Sequence, residues 1–225
     1  MKKRIQLFKS KLPEYVKSEE LFGMVAHIVG AALSIALLIL CIIRGAAKGS
    51  VAAVLTGIVF GVCMVLLYVL SAIYHGLSPR VKGKAVMRVL DHCSVFLLIA
   101  GTYTPVTICA LAKADPALAW VIFGVVWGMS VIGIVLNVID VDKYFPFSMA
   151  CYIALGWCII LSLPQLMTVL PTMAISLLFC GGVAYTAGAV LFGLGSKRRY
   201  AHTVFHMMVV IGSVFHGLMV LLFVL

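Results

Sequence analysis

Apolar residues run along the chain in long blocks separated by short polar breaks, with no strict alternation that would favour strands. Seven blocks, 22–43, 51–74, 89–112, 117–138, 146–163, 172–194 and 202–224, predict membrane-crossing helices. As helices they match a bilayer core of about 30 Å, which needs roughly 20 apolar residues. The fifth is the shortest and is closed by Pro164. Breaks fall at 44–50, 78–88, 113–116, 140–146, 164–171 and 195–200, where charged residues, Gly, Ser and Pro collect. None of them has room for a second domain. The expected architecture is all-α: a basic amphipathic segment over 1–21, then a seven-transmembrane helix bundle over 22–225.

Composition excludes a water-soluble globule. The chain is 64% hydrophobic and 11% charged, and its seven Asp and Glu are too few to clothe a surface in water. A net charge of +10 would suggest nucleic acid on a soluble protein. Here the cations cluster between apolar blocks, so they read as an orientation signal and no nucleic-acid partner is expected. Cytoplasmic loops retain Lys and Arg. With the N-terminus inside, fourteen of the seventeen basic residues fall on the cytoplasmic side: Lys2, Lys3, Arg4, Lys9, Lys11, Lys17, Arg80, Lys82, Lys84, Arg88, Lys143, Lys197, Arg198 and Arg199. Only Arg44, Lys48 and Lys113 fall outside, which favours an odd number of spans and an external C-terminus in the plasma membrane. No cleavable signal peptide is expected at the N-terminus, where Ile5, Leu7, Phe8, Leu12, Tyr15 and Val16 interrupt the cations. That mixture suits a segment lying on the anionic inner leaflet. The seven cysteines are single and unpaired in spacing, and read as small packing residues. The pairs Gly57/Gly61 and Gly124/Gly128 read as helix-packing sites.

Ionisable groups at membrane depth are costly and so are functional candidates. His75 closes the second block, Asp91 opens the third, and His202 with His206 opens the seventh. Under the expected topology these positions share one layer near the cytoplasmic face. His202 and His206 are four residues apart, as are Ser71 and His75, so each pair shares a helix face. Three imidazoles from two helices can hold Zn²⁺ with a fourth position open, the arrangement of catalytic zinc. Asp91 then orients or deprotonates water, and Ser71 assists a carbonyl oxygen. Plainer readings compete: an interfacial histidine pair, or an Asp91–Arg88 ion pair. His27 reads as a buried hydrogen-bonded histidine or a partner of the ligands, and His92 as structural. His216 lies too deep, at ten residues beyond His206, to join them.

At these residues the chain resembles the hemolysin III-like proteins of the progestin and adipoQ receptor superfamily. The resemblance runs almost end to end, through Glu19-Glu20, S-A-I-Y-H at 71–75, R-V-L-D-H at 88–92, L-I-A-G-T-Y-T-P at 98–105 and H-T-V-F-H-x9-H at 202–216. It implies seven helices with an intracellular N-terminus. It also implies zinc on the cytoplasmic side held by His75, His202 and His206, with Ser71 and Asp91 completing the site. The chain departs from the bacterial pattern at Gly23 and Ala26, often Asn and Thr, and at Thr203, often acidic.

The leading functional expectation is a zinc-dependent hydrolase taking a lipid amide or ester from within the bilayer, with Asp91 and Ser71 as catalytic residues. A second is a metal-stabilised, non-enzymatic regulator of membrane homeostasis. A third is a channel, transporter or cytolysin, which would draw on His216, Tyr103 and Thr104 at mid-depth.

Overall fold

A computed structural model describes residues 11–13, 16–81, 83–194 and 200–225. Most of the expected amphipathic segment, and the cations Lys82, Lys197, Arg198 and Arg199, lie outside the described residues. The helices are α1 (Lys17–Ala47), α2 (Val51–Gly76), α3 (Gly83–Pro105), α4 (Pro116–Trp157), α5 (Leu163–Val169), α6 (Thr172–Leu194) and α7 (Ala201–Met219). Helix α3 continues through a π-turn, Val106–Leu111, to Ala112–Ala114, and α7 ends in a π-turn, Val220–Val224. Among the described residues six helical stretches are long and apolar enough to cross a membrane.

Local chemistry accounts for the helix ends. Glu19 Oε2 accepts the Val16 N–H at 3.3 Å, so α1 begins five residues before its apolar block. Ser50 caps α2 by accepting from Ala53 N–H at 3.2 Å, after a turn in which Gly49 has φ of 64°. Asp115 caps α4 through Leu118 N–H at 2.9 Å, with Pro116 in the first turn.

The expected fourth and fifth blocks are joined more tightly than the polar break 140–146 suggests. They form one 54-residue tract, Pro116–Val169, and within its stretch Pro116–Trp157 the backbone leaves the helix at Asp140 (φ −162°, ψ 95°). Asp140 Oδ1 accepts from Lys143 N–H at 3.1 Å, so the carboxylate that ends one arm also starts the next. Ser148 donates to Asn137 Oδ1 at 2.7 Å and ties the two arms across the kink. Further on, the helix tightens to a 3₁₀ turn at Cys158–Ser162. The Tyr103 hydroxyl serves that turn, donating to Leu155 O at 2.8 Å and accepting from Ile159 N–H at 2.9 Å. Thr104 is spent in the same way, donating to Ala100 O and accepting from Trp127 Nε1. Both mid-depth polar groups are thus bound within the bundle.

Packing is tightest between α1 and α2, between α6 and α7, and between α2 and α3. A Cβ at Gly61 would sit 2.7 Å from the Leu38 side chain, and one at Gly57 would sit 3.0 Å from Cys41. This glycine pair therefore sets the close approach of α1 and α2. Gly124 and Gly128 behave otherwise, with nothing within 4 Å of an added Cβ. They lie on an open face of α4, so the packing expected of that pair is not found. Phe60, Tyr68, Phe96, Leu166 and Met219 anchor the core. Cys41, Cys63, Cys93, Cys109 and Cys151 are buried as free thiols, while Cys158 is half-buried and Cys180 exposed.

The contrast between the two glycine pairs is testable. Gly61→Ala is expected to destabilise the protein by about 1–3 kcal/mol through overpacking. Gly124→Ala is expected to be neutral or stabilising by up to about 1 kcal/mol through helix propensity. Thermal unfolding in detergent reads both, and a fall of similar size in each would contradict this account of α1–α2 packing.

Candidate metal centre

The end of the bundle where α1 begins, α2 ends and α7 begins carries four buried histidines: His27, His75, His202 and His206. Helix α2 supplies His75 from its last turn, and α7 supplies His202 and His206 from its first two turns. Helix α1 supplies His27. Ring centroids are 4.3 Å apart for His202–His206, 4.5 Å for His75–His206, 4.5 Å for His27–His206 and 5.3 Å for His75–His202. His206 stands at the middle. Its Nε2 lies 2.9 Å from His202 Nε2, and its Nδ1 lies 2.6 Å from His27 Nε2.

The donor set suits a borderline cation. His27, His75 and His206 each present a nitrogen, and these nitrogens all lie within 4.8 Å of one another. Among the described residues His75 Nε2 is buried with no hydrogen-bond partner, as is His27 Nδ1, the state of a nitrogen kept for a ligand. Three imidazole nitrogens are a donor set that zinc can take. Ring contacts bring the sequence-predicted His75, His202 and His206 side by side, but the three nitrogens within metal-ligand spacing among the described residues belong to His27, His75 and His206, with His202 outside that set. Gly23 leaves room for the cluster. A Cβ there would meet the His75 ring at 3.1 Å and the His206 ring at 3.2 Å.

Two acidic residues at the start of α1 hold the periphery. Glu20 Oε2 accepts from His75 Nδ1 at 2.7 Å, and Glu20 Oε1 accepts from Lys84 Nζ at 2.8 Å. Lys84 is buried, also donates to Leu77 O, and lies over the Tyr74 ring. Glu19 Oε1 accepts the Tyr200 N–H at 2.6 Å. Tyr200 has φ of 65°, a left-handed conformation uncommon for a bulky residue, and it immediately precedes the turn bearing His202. One carboxylate thus grips α2, and the other grips the entry to α7.

Asp91 and Ser71 face each other beside this cluster. The Ser71 hydroxyl hydrogen-bonds the Asp91 carboxyl, and His75, Arg88 and Glu20 act on that carboxyl through their charge. Arg88 Nη1 donates to Asp142 Oδ1 at 2.8 Å, so the cation three residues before Asp91 is engaged across the bundle with the kinked tract. Asp142 also accepts the Lys11 N–H at 2.6 Å. His92 packs against Phe145 and Phe192, the latter also meeting the His202 ring, while His216 stacks on Tyr185. Neither joins the four, as their positions predict.

The cluster opens on a cavity of about 420 Å³. Ser71, Asp91, His202 and His206 line one end, and Leu98, Val106, Ile153, Ile159 and Leu178 belong to its largely apolar remainder. Pro13 lies at its edge, beside the clasp made by Asp142, Arg88 and Lys11.

Sequence reasoning missed Glu20 and Lys84, and it left His27 without a definite part. The spacing was present: Glu20, Gly23 and His27 recur at three and four residues and so share one face of α1.

The chain matches the family described as Haemolysin-III related over residues 15–217. It is 36% identical over 217 residues to Hemolysin-3 of Bacillus cereus, covering 96% of each chain. It is 32% identical over 195 residues to the Hemolysin-3 homolog of Bacillus subtilis (strain 168), covering 87% of this chain and 89% of that one. A more distant likeness, 23% over 170 residues, links it to the monocyte to macrophage differentiation factor of Homo sapiens, across 72% of this chain and 67% of that one. With its apolar helices and a family match spanning nearly its whole length, the chain belongs to the haemolysin-III-related family of multi-pass membrane proteins, within the progestin and adipoQ receptor superfamily.

Proposed function

We propose that this protein is a zinc-dependent hydrolase of the plasma membrane that cleaves a lipid amide or ester at the cytoplasmic end of a seven-span bundle. The observation that carries the reading is the convergence of His75, His202 and His206 near Asp91, with Asp91, His202 and His206 lining a largely apolar cavity.

The topology has independent support. The tract Pro116–Val169 has 54 residues, and at a rise of about 1.5 Å per residue it exceeds twice the roughly 30 Å bilayer core. Its break at Asp140 falls between the two arms, which supports counting them as separate spans. Seven spans put the starts of α1, α3 and α7 on one side, together with fourteen of the seventeen Lys and Arg. The positive-inside rule then makes that side cytoplasmic. Two of the three remaining cations have a local task at the other end. Arg44 donates to Leu222 O at 2.9 Å and Lys48 to Leu225 O, satisfying carbonyls at the end of α7.

When bound, zinc would supply a polarised carbonyl oxygen and water acidified toward neutrality. The protein supplies the rest. The apolar length of the cavity takes the acyl chain, whose burial favours binding and excludes water. Asp91 accepts the proton that water loses as it adds to the carbonyl carbon. It returns that proton to the departing nitrogen or oxygen as the C–N or C–O bond breaks. Ser71, hydroxyl toward Asp91 at rest, turns to donate to the carbonyl oxygen as negative charge grows there.

Two measurements test this. Metal analysis of purified protein should give one zinc per chain, and His202→Ala/His206→Ala should lose it. Zinc-free wild type after reconstitution with excess zinc would sink the metal reading. On a panel of lipid amides and esters, Asp91→Asn should keep its zinc and lose turnover by 10²-fold or more, in line with removal of a general base of about 10²–10⁴. If wild type holds zinc, turns over no lipid and Asp91→Asn has no cellular effect, the non-enzymatic reading replaces this one.

A further inference from the structure

We infer that one face of α1, bearing Glu20, Gly23 and His27, is the positioning surface of the metal ligands: Glu20 orients His75, and His27 orients His206. The inference rests on the metal reading of the histidine cluster and goes beyond it by giving α1 a part that contributes no ligand.

A neutral imidazole has one N–H and one lone pair, and only the lone pair binds a cation. Glu20, held as a carboxylate by Lys84, is an acceptor, so His75 Nδ1 carries the proton in their 2.7 Å contact. The lone pair is then on Nε2, the nitrogen that is buried without a hydrogen-bond partner. Remove the acceptor and either tautomer is allowed, with the ring free to turn. Lys84 makes the orientation firm because its own ammonium is fixed between Glu20 Oε1 and Leu77 O.

His206 repeats the pattern. Its Nε2 faces His202 Nε2 at 2.9 Å, and its Nδ1 faces His27 Nε2 at 2.6 Å. For His206 Nε2 to offer a lone pair, Nδ1 must carry the proton and donate it to His27 Nε2. His27 then holds its own proton on Nδ1. His27 Nε2, engaged by His206, then acts through that ring, although His27 also stands within metal-ligand spacing of His75 and His206 and its Nδ1 has no hydrogen-bond partner among the described residues. Gly23, one turn from each, permits the approach: a Cβ would lie within 3.1–3.2 Å of both ligand rings.

Outer partners of this kind typically alter metal affinity by about 10–100-fold when removed. Full-length protein in detergent is titrated with Zn²⁺, and with Co²⁺ for its visible spectrum. Glu20→Gln should bind one metal 10–100-fold more weakly than wild type, with a shifted Co²⁺ spectrum, and Glu20→Asp should recover part of the loss. His27→Leu should weaken binding likewise while keeping one ion per chain. His27→Gln, which keeps an acceptor for His206 Nδ1, should stay near wild type. Thermal midpoints of the metal-free variants separate these effects from misfolding. Wild-type affinity and an unchanged Co²⁺ spectrum in Glu20→Gln would overturn the part given to Glu20. Loss of the ion in His27→Gln would overturn the part given to His27 and make it a ligand. A wild-type protein that binds neither metal would instead defeat the underlying metal reading.

Discussion

Two carboxylates at the start of α1 govern the geometry of the histidine cluster. In lipid the hydrophobic effect does little to press helices together, so specific polar contacts and close packing must fix their relative positions. Glu19 bonds the Tyr200 N–H and Glu20 bonds His75 and Lys84, so adjacent residues reach α7, α2 and α3. At the other end of the same helix, Arg44 and Lys48 bond the last carbonyls of the α7 tract. Helix α1 is thereby pinned to α7 at both ends, and the glycine contacts with α2 hold its middle. A shift of α1 would move two hydrogen-bonded imidazoles at once. That is why the cluster belongs to the bundle as a whole and not to the histidine-bearing helices alone.

Much of this could be read from the residues. Lipid demands long apolar helices, so hydropathy located them, and the fixed rise of a helix converted sequence position into depth. That is how His75, Asp91 and the His202/His206 pair were seen to share a layer. What resisted reading was rotation. Nearly every position of α1 is apolar, so its pattern does not say which face meets α2 and α7. The parts of Glu20 and His27 depend on that face. Long-range choices resisted as well: Arg88 has Asp91 three residues away, yet its bond to Asp142 spans 54 residues. The polar break at 140–146 was visible, but not that Asp140 would restart the helix at once by capping it.

The distribution of glycine explains where the bundle is tight and where it is hollow. Helices α6 and α7 interlock at three glycines. A Cβ at Gly181 would lie 2.7 Å from the His216 ring, one at Gly188 would lie 3.2 Å from Met208, and one at Gly212 would lie 2.6 Å from Tyr185. Such contacts draw α6 against α7. Among the described residues the second arm of α4 meets α6 less closely: a Cβ at Gly182 would lie 3.4 Å from Trp157, and Gly156 has nothing within 4 Å of an added Cβ. Between that arm and α6 the contacts are side-chain bridges near the two ends. Phe145 meets Phe192 at 5.5 Å, and Trp157 donates to Thr186 at 2.9 Å. The cavity occupies the space between those bridges and runs inward to the histidines. Close packing on one side and its absence on the other follow from the same rule, that helices in lipid approach only where side chains are small. An apolar hollow of this kind gains little from water and much from a hydrocarbon chain. On the proposed reading, Ser71, Asp91 and the imidazoles that line it meet the amide or ester while the rest of the hollow takes the chain.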